Sequence, residues 1–386
     1  MQSFHTQIYP LQKNILLMVK IRHLIIFVFT LLSLQLSAQT ARKYSNEFLA
    51  IGVGARALGM SGAFVSAASD VTSGYWNPAG LTGINAKFQG ALMHAEYFAG
   101  IAKYDYGALA TRIDKKSVIG LSVVRFGVDD IPDTSELIDA NGVINYDRIL
   151  TFSAADYAFM LSYARELKAG FSVGGTAKVV HRKVGDFAKS WGFGIDAGIQ
   201  YTKKSWKFAA MARDVSSTFN AWSFNLTDAQ RATFAATNNT IPENSLELTL
   251  PTLTLGAAKN FEFGKNFTLL TELDLQTTFD GMRNTLIRDK TFSSSPVFGF
   301  EAGFKNIVFL RGGVGNFQTI VNDAGDGRQM TFQPNLGLGL KIKGVTIDYA
   351  LTDIGDQSTA LFSNVFSLRF DINAAKSATT KTQETK

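Results

Sequence analysis

The sequence contains no cysteine. That excludes a disulfide framework, a zinc–thiolate centre, a thiol nucleophile and a lipid anchor carried on cysteine. Proline is scarce, with 7 residues in 386, so few positions forbid a strand ladder. Beyond residue 38 the histidines are His94 and His181, and neither stands at ligand spacing from another. No metal site is expected from them. Neither an enzyme nor a cofactor is expected. Hydrophobic residues make up 46% of the chain. Even so, no apolar run after Gln39 approaches the roughly 20 residues that a membrane helix requires.

Charge of one sign is also lacking. The formal net charge is +6, and residues 1–38 hold Lys13, Lys20 and Arg22 with no acid. The remainder carries 35 bases against 32 acids, too even a balance to point to nucleic acid. Lys20 and Arg22 followed by the apolar Leu24–Leu34 and by Leu36-Ser37-Ala38 read as a secretory signal peptide over 1–38, cleaved before Gln39. Met18 directly precedes this segment and is an alternative start, which makes residues 1–17 a gene-model extension.

What is present is strands. From Ala86 onward the chain divides into fourteen strand candidates, at about 86–98, 103–113, 117–128, 156–167, 171–184, 190–202, 206–218, 248–261, 267–279, 296–304, 307–317, 330–342, 345–354 and 364–372. Gly (34) and Phe (31) are abundant, as suits long, curved, aromatic-flanked strands. Most candidates reach the about 9–11 residues that cross a bilayer when tilted. Short gaps such as Asp114-Lys115-Lys116, Lys203-Lys204-Ser205 and Lys343-Gly344 take turns with longer ones, the longest being Asp129–Ala155 and Phe219–Glu247. That rhythm predicts an all-β transmembrane outer-membrane barrel of about 14 antiparallel strands, with tight periplasmic turns and long outer loops. Even parity puts both barrel ends in the periplasm. A soluble sandwich shares the alternation but not the rhythm.

Period two is clearest late in the chain. Leu269, Leu273 and Leu275 oppose Glu272, Asp274 and Gln276; Val345, Ile347, Tyr349 and Leu351 oppose Thr346 and Asp348; Phe366, Leu368, Phe370 and Ile372 oppose Ser367, Arg369 and Asp371. One apolar and one polar face fits a lipid-facing wall around a polar lumen. The domain reading is a plug or hatch over 39–85, the barrel over 86–372, and a polar, disordered periplasmic tail over 373–386.

Between Gln39 and Asn85 period two is lost and small residues crowd together. The segment reads Gly52-Val53-Gly54-Ala55-Arg56-Ala57-Leu58-Gly59-Met60-Ser61-Gly62, and continues through Asp70-Val71-Thr72 to Tyr75-Trp76-Asn77-Pro78-Ala79-Gly80. Small residues let backbone approach a barrel wall closely. Arg56 is expected to pin the plug to lumenal acids such as Glu272 or Asp274, and Asn77-Pro78 to set the turn into the first strand. Gly52-x-Gly54-x-x-Ala57 also fits a dinucleotide fingerprint by pattern, but no βαβ unit surrounds it.

This motif resembles the amino-terminal signature of the PorV/PorQ family, itself similar to FadL-like outer-membrane transporters. The matching positions are Gly54, Ala55, Arg56, Gly59, Gly62, Asp70, Asn77, Pro78 and Ala79. PorV proper has Asp-Ala-Arg and Asn-Pro-Ala-Lys where this chain has Gly54-Ala55-Arg56 and Asn77-Pro78-Ala79-Gly80, so the resemblance is to the family rather than to that member. It implies a fourteen-stranded barrel in the outer membrane, in contact with its lipid. It further implies a part in the type IX secretion system of Bacteroidetes, with a translocon, a sortase or cargo C-terminal domains as partners. The FadL-like alternative is a channel for a hydrophobic ligand.

The remaining candidates are weaker. Asp129-Asp130 read as solvated, and Asn322–Gly327 as an external turn rather than a calcium loop, since the terminal Glu is lacking. In Phe219–Glu247, the residues Phe219, Trp222, Phe224 and Leu226 are a candidate partner-binding loop, followed by a helix capped by Thr227.

Overall fold

Alternation decides which side of each strand is wet, and in a computed structural model of the chain it closes the sheet. The structure describes residues 45–138, 142–321, 327–354 and 362–372. The expected signal peptide, the expected tail and most of Asn322–Gly327 lie outside the described residues.

The chain forms a closed barrel of fourteen antiparallel strands, of the outer-membrane type. They are β1 Phe88–Tyr97, β2 Ala102–Arg112, β3 Ser117–Asp133, β4 Leu150–Lys168, β5 Phe171–Val184 and β6 Ala188–Lys203. Then come β7, in two pieces, Trp206–Arg213 and Thr218–Phe224, and β8, also in two, Ser245–Thr249 and Thr252–Phe263. The ring is completed by β9 Phe267–Thr278, β10 Ser293–Phe304, β11 Val308–Val321, β12 Arg328–Ile342, β13 Val345–Thr352 and β14 Ser363–Ile372. β1 pairs with both β2 and β14, so no edge is left along the main ring. No described helix is long and apolar enough to cross a membrane.

Side chains alternate as a barrel in lipid demands. Leu92 (55%), Leu109 (61%) and Leu273 (55%) are exposed on the outer face, whereas their neighbours Met93, Ala108 and Glu272 are buried on the inner one. Lipid is as apolar as these outward leucines, so their exposure to it costs little.

Turn chemistry fixes the short end. Lys305 and Asn306 both have φ 53°, the conformation of a two-residue type I′ hairpin whose twist matches its strands. They keep β10 and β11 distinct. At the other end the strands run further than their sequence candidates. β7 reaches Phe224 and β8 starts at Ser245, so the loop is 225–244, not Phe219–Glu247. β3 and β4 likewise narrow Asp129–Ala155 to 134–149.

Candidate functional site

Residues 45–85 lie inside the ring. They form short helices, α1 Ala55–Leu58 and α2 Ser73–Trp76, and a 3-10 turn at Pro78–Gly83. Their small side chains have a steric cause. A Cβ on Gly313 of β11 would overlap the Met60 backbone, and one on Gly174 of β5 would stand 2.5 Å from the Ala79 nitrogen. Plug backbone thus presses directly on wall backbone.

The polar lumen supplies anchors. Arg56 makes a two-pronged contact with Glu301 on β10, at 2.8 and 2.7 Å, and lies 3.6 Å from Asp70. Arg311, almost wholly buried on β11, bridges Glu301 at 2.6 Å and Asp348 at 2.8 Å. Arg369 on β14 closes the chain of charges on Asp70. Burial alone would raise the Asp70 carboxyl, but Arg369 and Arg56 outweigh it and hold the group below its ordinary range.

The expected partners of Arg56, Glu272 and Asp274, take a different role. Glu272 accepts from the backbone nitrogens of Ser66 (2.6 Å) and Ala67 (3.0 Å), and Asp274 from those of Phe64 (2.9 Å) and Val65 (3.1 Å). Four consecutive N–H groups fall along β9 and donate to the side chains of two buried acids. Arg56, eight residues earlier, falls instead against β10.

The other motif residues are buried here too. Ala55 donates its N–H to Ser367 at 3.1 Å. A Cβ on Gly59 would meet the Gly337 backbone at 2.9 Å, and Gly62 abuts Trp76. The Asn77 side chain accepts from Ala79 N–H at 3.1 Å and donates to the carbonyls of Val65 and Ile199, each at 3.1 Å. Pro78 starts the 3-10 turn, where its missing N–H is no loss.

The candidate loop aromatics are not in a loop. Trp222 donates to Glu247 at 2.8 Å and lies under the Arg182 guanidinium, 5.1 Å away, with Phe224 stacked on it. These two rings face inward, Phe219 faces outward, and Leu226 is half-buried after the strand. The helix α3, Asp228–Ala236, begins at a Thr227–Gln230 capping box.

Sequence reading missed the breach in the wall. β7 is interrupted at 214–217, where Asp214 (φ 54°) and Ser217 (φ 57°) are left-handed. β8 is interrupted at Leu250-Pro251, and proline cannot donate to a ladder. A polar knot holds the break. Lys178 pairs with Asp196 at 2.8 Å and Asp214 at 2.6 Å, and the Asp214 N–H returns to Asp196 at 2.8 Å. Beyond the break, Ser245–Thr249 pairs only with β7, because β9 ends at Thr278. The neighbouring wall is therefore missing at the long-loop end.

A cavity of about 120 Å³ opens there. Leu49, Ala50, Leu250, Pro251 and Phe279 supply its apolar lining. The start of the plug covers it. Asn46 donates to Thr249 at 2.7 Å, Arg283 reaches Glu47 at 3.5 Å, and Arg213 donates to the carbonyls of Leu49 and Tyr75, each at 3.2 Å. A second cavity, beside Arg56 and Met93, measures about 20 Å³, room for water but not for an organic solute.

No protein-family model matches the chain, and no curated protein matches it. Among solved structures it is similar to the toluene transporter TodX of P. putida, at 12% identity, with a TM-score of 0.51 over 84% of this chain and 99% of that one. It is similar to the CymD monoaromatic hydrocarbon channel at 13% identity, with a TM-score of 0.51 over 84% and 98% of the two chains. At such identities the likeness is one of fold.

Proposed function

We propose that the protein is a non-enzymatic outer-membrane channel for small hydrophobic molecules, which leave the barrel sideways at the breach between β8 and β9. The observation that carries this reading is the coincidence of the breach with a cavity that has one apolar side, Leu49, Ala50, Leu250, Pro251 and Phe279, facing charged groups such as Arg213, Asp214, Asp280 and Arg283. At about 120 Å³ it is close to the roughly 150 Å³ that accommodates benzene in an engineered cavity. The exposed apolar belt and the short-turn, long-loop asymmetry support the outer membrane as the location. The fold likeness to two hydrocarbon channels supports the solute class.

Type IX secretion, the other role implied by the motif, requires a docking surface for translocon, sortase or cargo. The inward packing of Trp222 and Phe224 withdraws two of the aromatics on which such a surface was expected, and hydrophobic passage is the preferred reading. Toluene influx into proteoliposomes tests it. Ala50→Trp places an indole in the cavity and is expected to lower influx about tenfold while the barrel assembles normally. Undiminished influx in an assembled variant refutes passage at this point.

A further inference from the structure

The two ends of the barrel differ in charge. Each of the six short turns carries an exposed lysine in or beside it: Lys116, Lys168, Lys204, Lys265, Lys305 and Lys343. Asp114 is the one acid within those turns, and its carboxylate is taken up by the backbone nitrogens of Lys116 and Ser117, at 2.6 and 2.8 Å. The connections at the opposite end are richer in acids than in bases, with Glu136, Asp147, Asp186, Asp228 and Glu243 among them. A basic rim around one mouth is thus a property of that end and not of the surface as a whole.

The position of these cations relative to the wall says what they face. Lys305 lies over the ring of Phe304 at 5.2 Å and Lys87 over Phe88 at 5.7 Å. Lys259 sits over both Trp206 and Phe261 at 4.8 Å. Phe304, Phe88 and Trp206 are exposed on the outer face of the wall, the face that bears the leucine belt. Aromatic rings in that position mark the boundary between hydrocarbon and headgroups. A lysine over such a ring runs its stem along the apolar edge and delivers its ammonium to headgroup level.

From this rim we infer that the short-turn end is a binding belt for anionic glycerophospholipids in the adjoining leaflet. Phosphate oxygens meet the lysine ammonium groups while the acyl chains pack on Phe304, Phe88 and Trp206. A soluble acidic protein fits the turn lysines but gives no reason for lysines seated on lipid-facing rings. Each lysine near an anionic headgroup contributes about 1 kcal/mol, close to fivefold in affinity. A lipid that spans two turns is therefore held strongly.

The test is native mass spectrometry of the full-length protein extracted in mild detergent from bilayers with equal phosphatidylglycerol and phosphatidylcholine. Wild type is expected to retain phosphatidylglycerol preferentially and to lose it in about 1 M salt, where charge is screened within about 3 Å. The eightfold Lys→Gln variant, at the six turn positions together with Lys87 and Lys259, is expected to retain at least about tenfold less, and the eightfold Lys→Arg variant to keep it. Equal retention of the two lipids by wild type, or unchanged retention by the Gln variant, overturns the inference. So does a Gln variant that keeps its lipid but sheds a soluble acidic protein from cell extracts. Solute influx is a separate readout, so failure here leaves the channel reading standing.

Discussion

The ring holds its plug differently on two sides. From β9 to β14 the grip is electrostatic: Asp348, Arg311, Glu301, Arg56, Asp70 and Arg369 form an unbroken chain of opposite charges, and Glu272 and Asp274 clasp four backbone N–H groups. At β7 and β8 the wall itself breaks. There the polar groups bind one another, as in the Lys178 knot, or reach the plug without an opposite charge to meet, as Asn46 does at Thr249 and Arg213 at the carbonyls of Leu49 and Tyr75. A plug clamped on one side and lightly held at the other cannot leave the lumen as a body, but it can yield at the breach. On the proposed reading, that difference is what lets a solute pass a filled barrel.

The largest expected effect comes from breaking the clamped side. Arg311→Met leaves Glu301 and Asp348 buried without their shared cation, at a cost of about 3–5 kcal/mol. Urea unfolding in detergent micelles, followed by the heat-modifiable mobility of the barrel, measures it. Next is Gly313→Val, which pushes on the Met60 backbone. Overpacking of this kind costs about 1–3 kcal/mol, read by the same unfolding curve. On the breached side, Arg213→Met removes two guanidinium donors to plug carbonyls and is expected to cost about 1.5–3 kcal/mol, the range for a hydrogen bond to a charged group. It is expected to raise toluene influx by loosening the cover, and a fall in influx would reverse the comparison.

A smaller effect concerns pH. The folded carboxyl of Asp70 lies below its unfolded value of about 3.9. Its contribution is therefore present above that value and is lost as pH falls through the lower, folded one. Wild type is expected to lose stability on acidification through and below about pH 3.9. Asp70→Asn, lacking this titration, is expected to show a shallower loss. Parallel pH profiles from thermal unfolding would remove Asp70 from the clamp.

The walls were legible because period two is a local signal. Leu273 beside Glu272 and Asp274 already states which face is which. The short turns were legible too, through their lysines, asparagines and glycines. The partners of Arg56 were not. Glu301 lies 245 residues away, and alternation shows that it faces the lumen but not which inward arginine it meets. Trp222 and Phe224 read as loop residues in the sequence because β7 resumes after a break, and Asp214-Val215-Ser216-Ser217 looks like the end of a strand. The breach was hidden for the same reason. Leu250-Pro251 marks an interruption in β8, but the absence of a wall neighbour beyond Thr278 appears only when the ring is closed.

The most direct test of sideways passage is a crystal structure of the full-length protein soaked with bromobenzene, using bromine anomalous scattering. The account predicts a bromine peak between Leu49, Leu250, Pro251 and Phe279, and its loss in Ala50→Trp. Bromine density along the lumen beside Arg56 and Met93, with none at the breach, would contradict it.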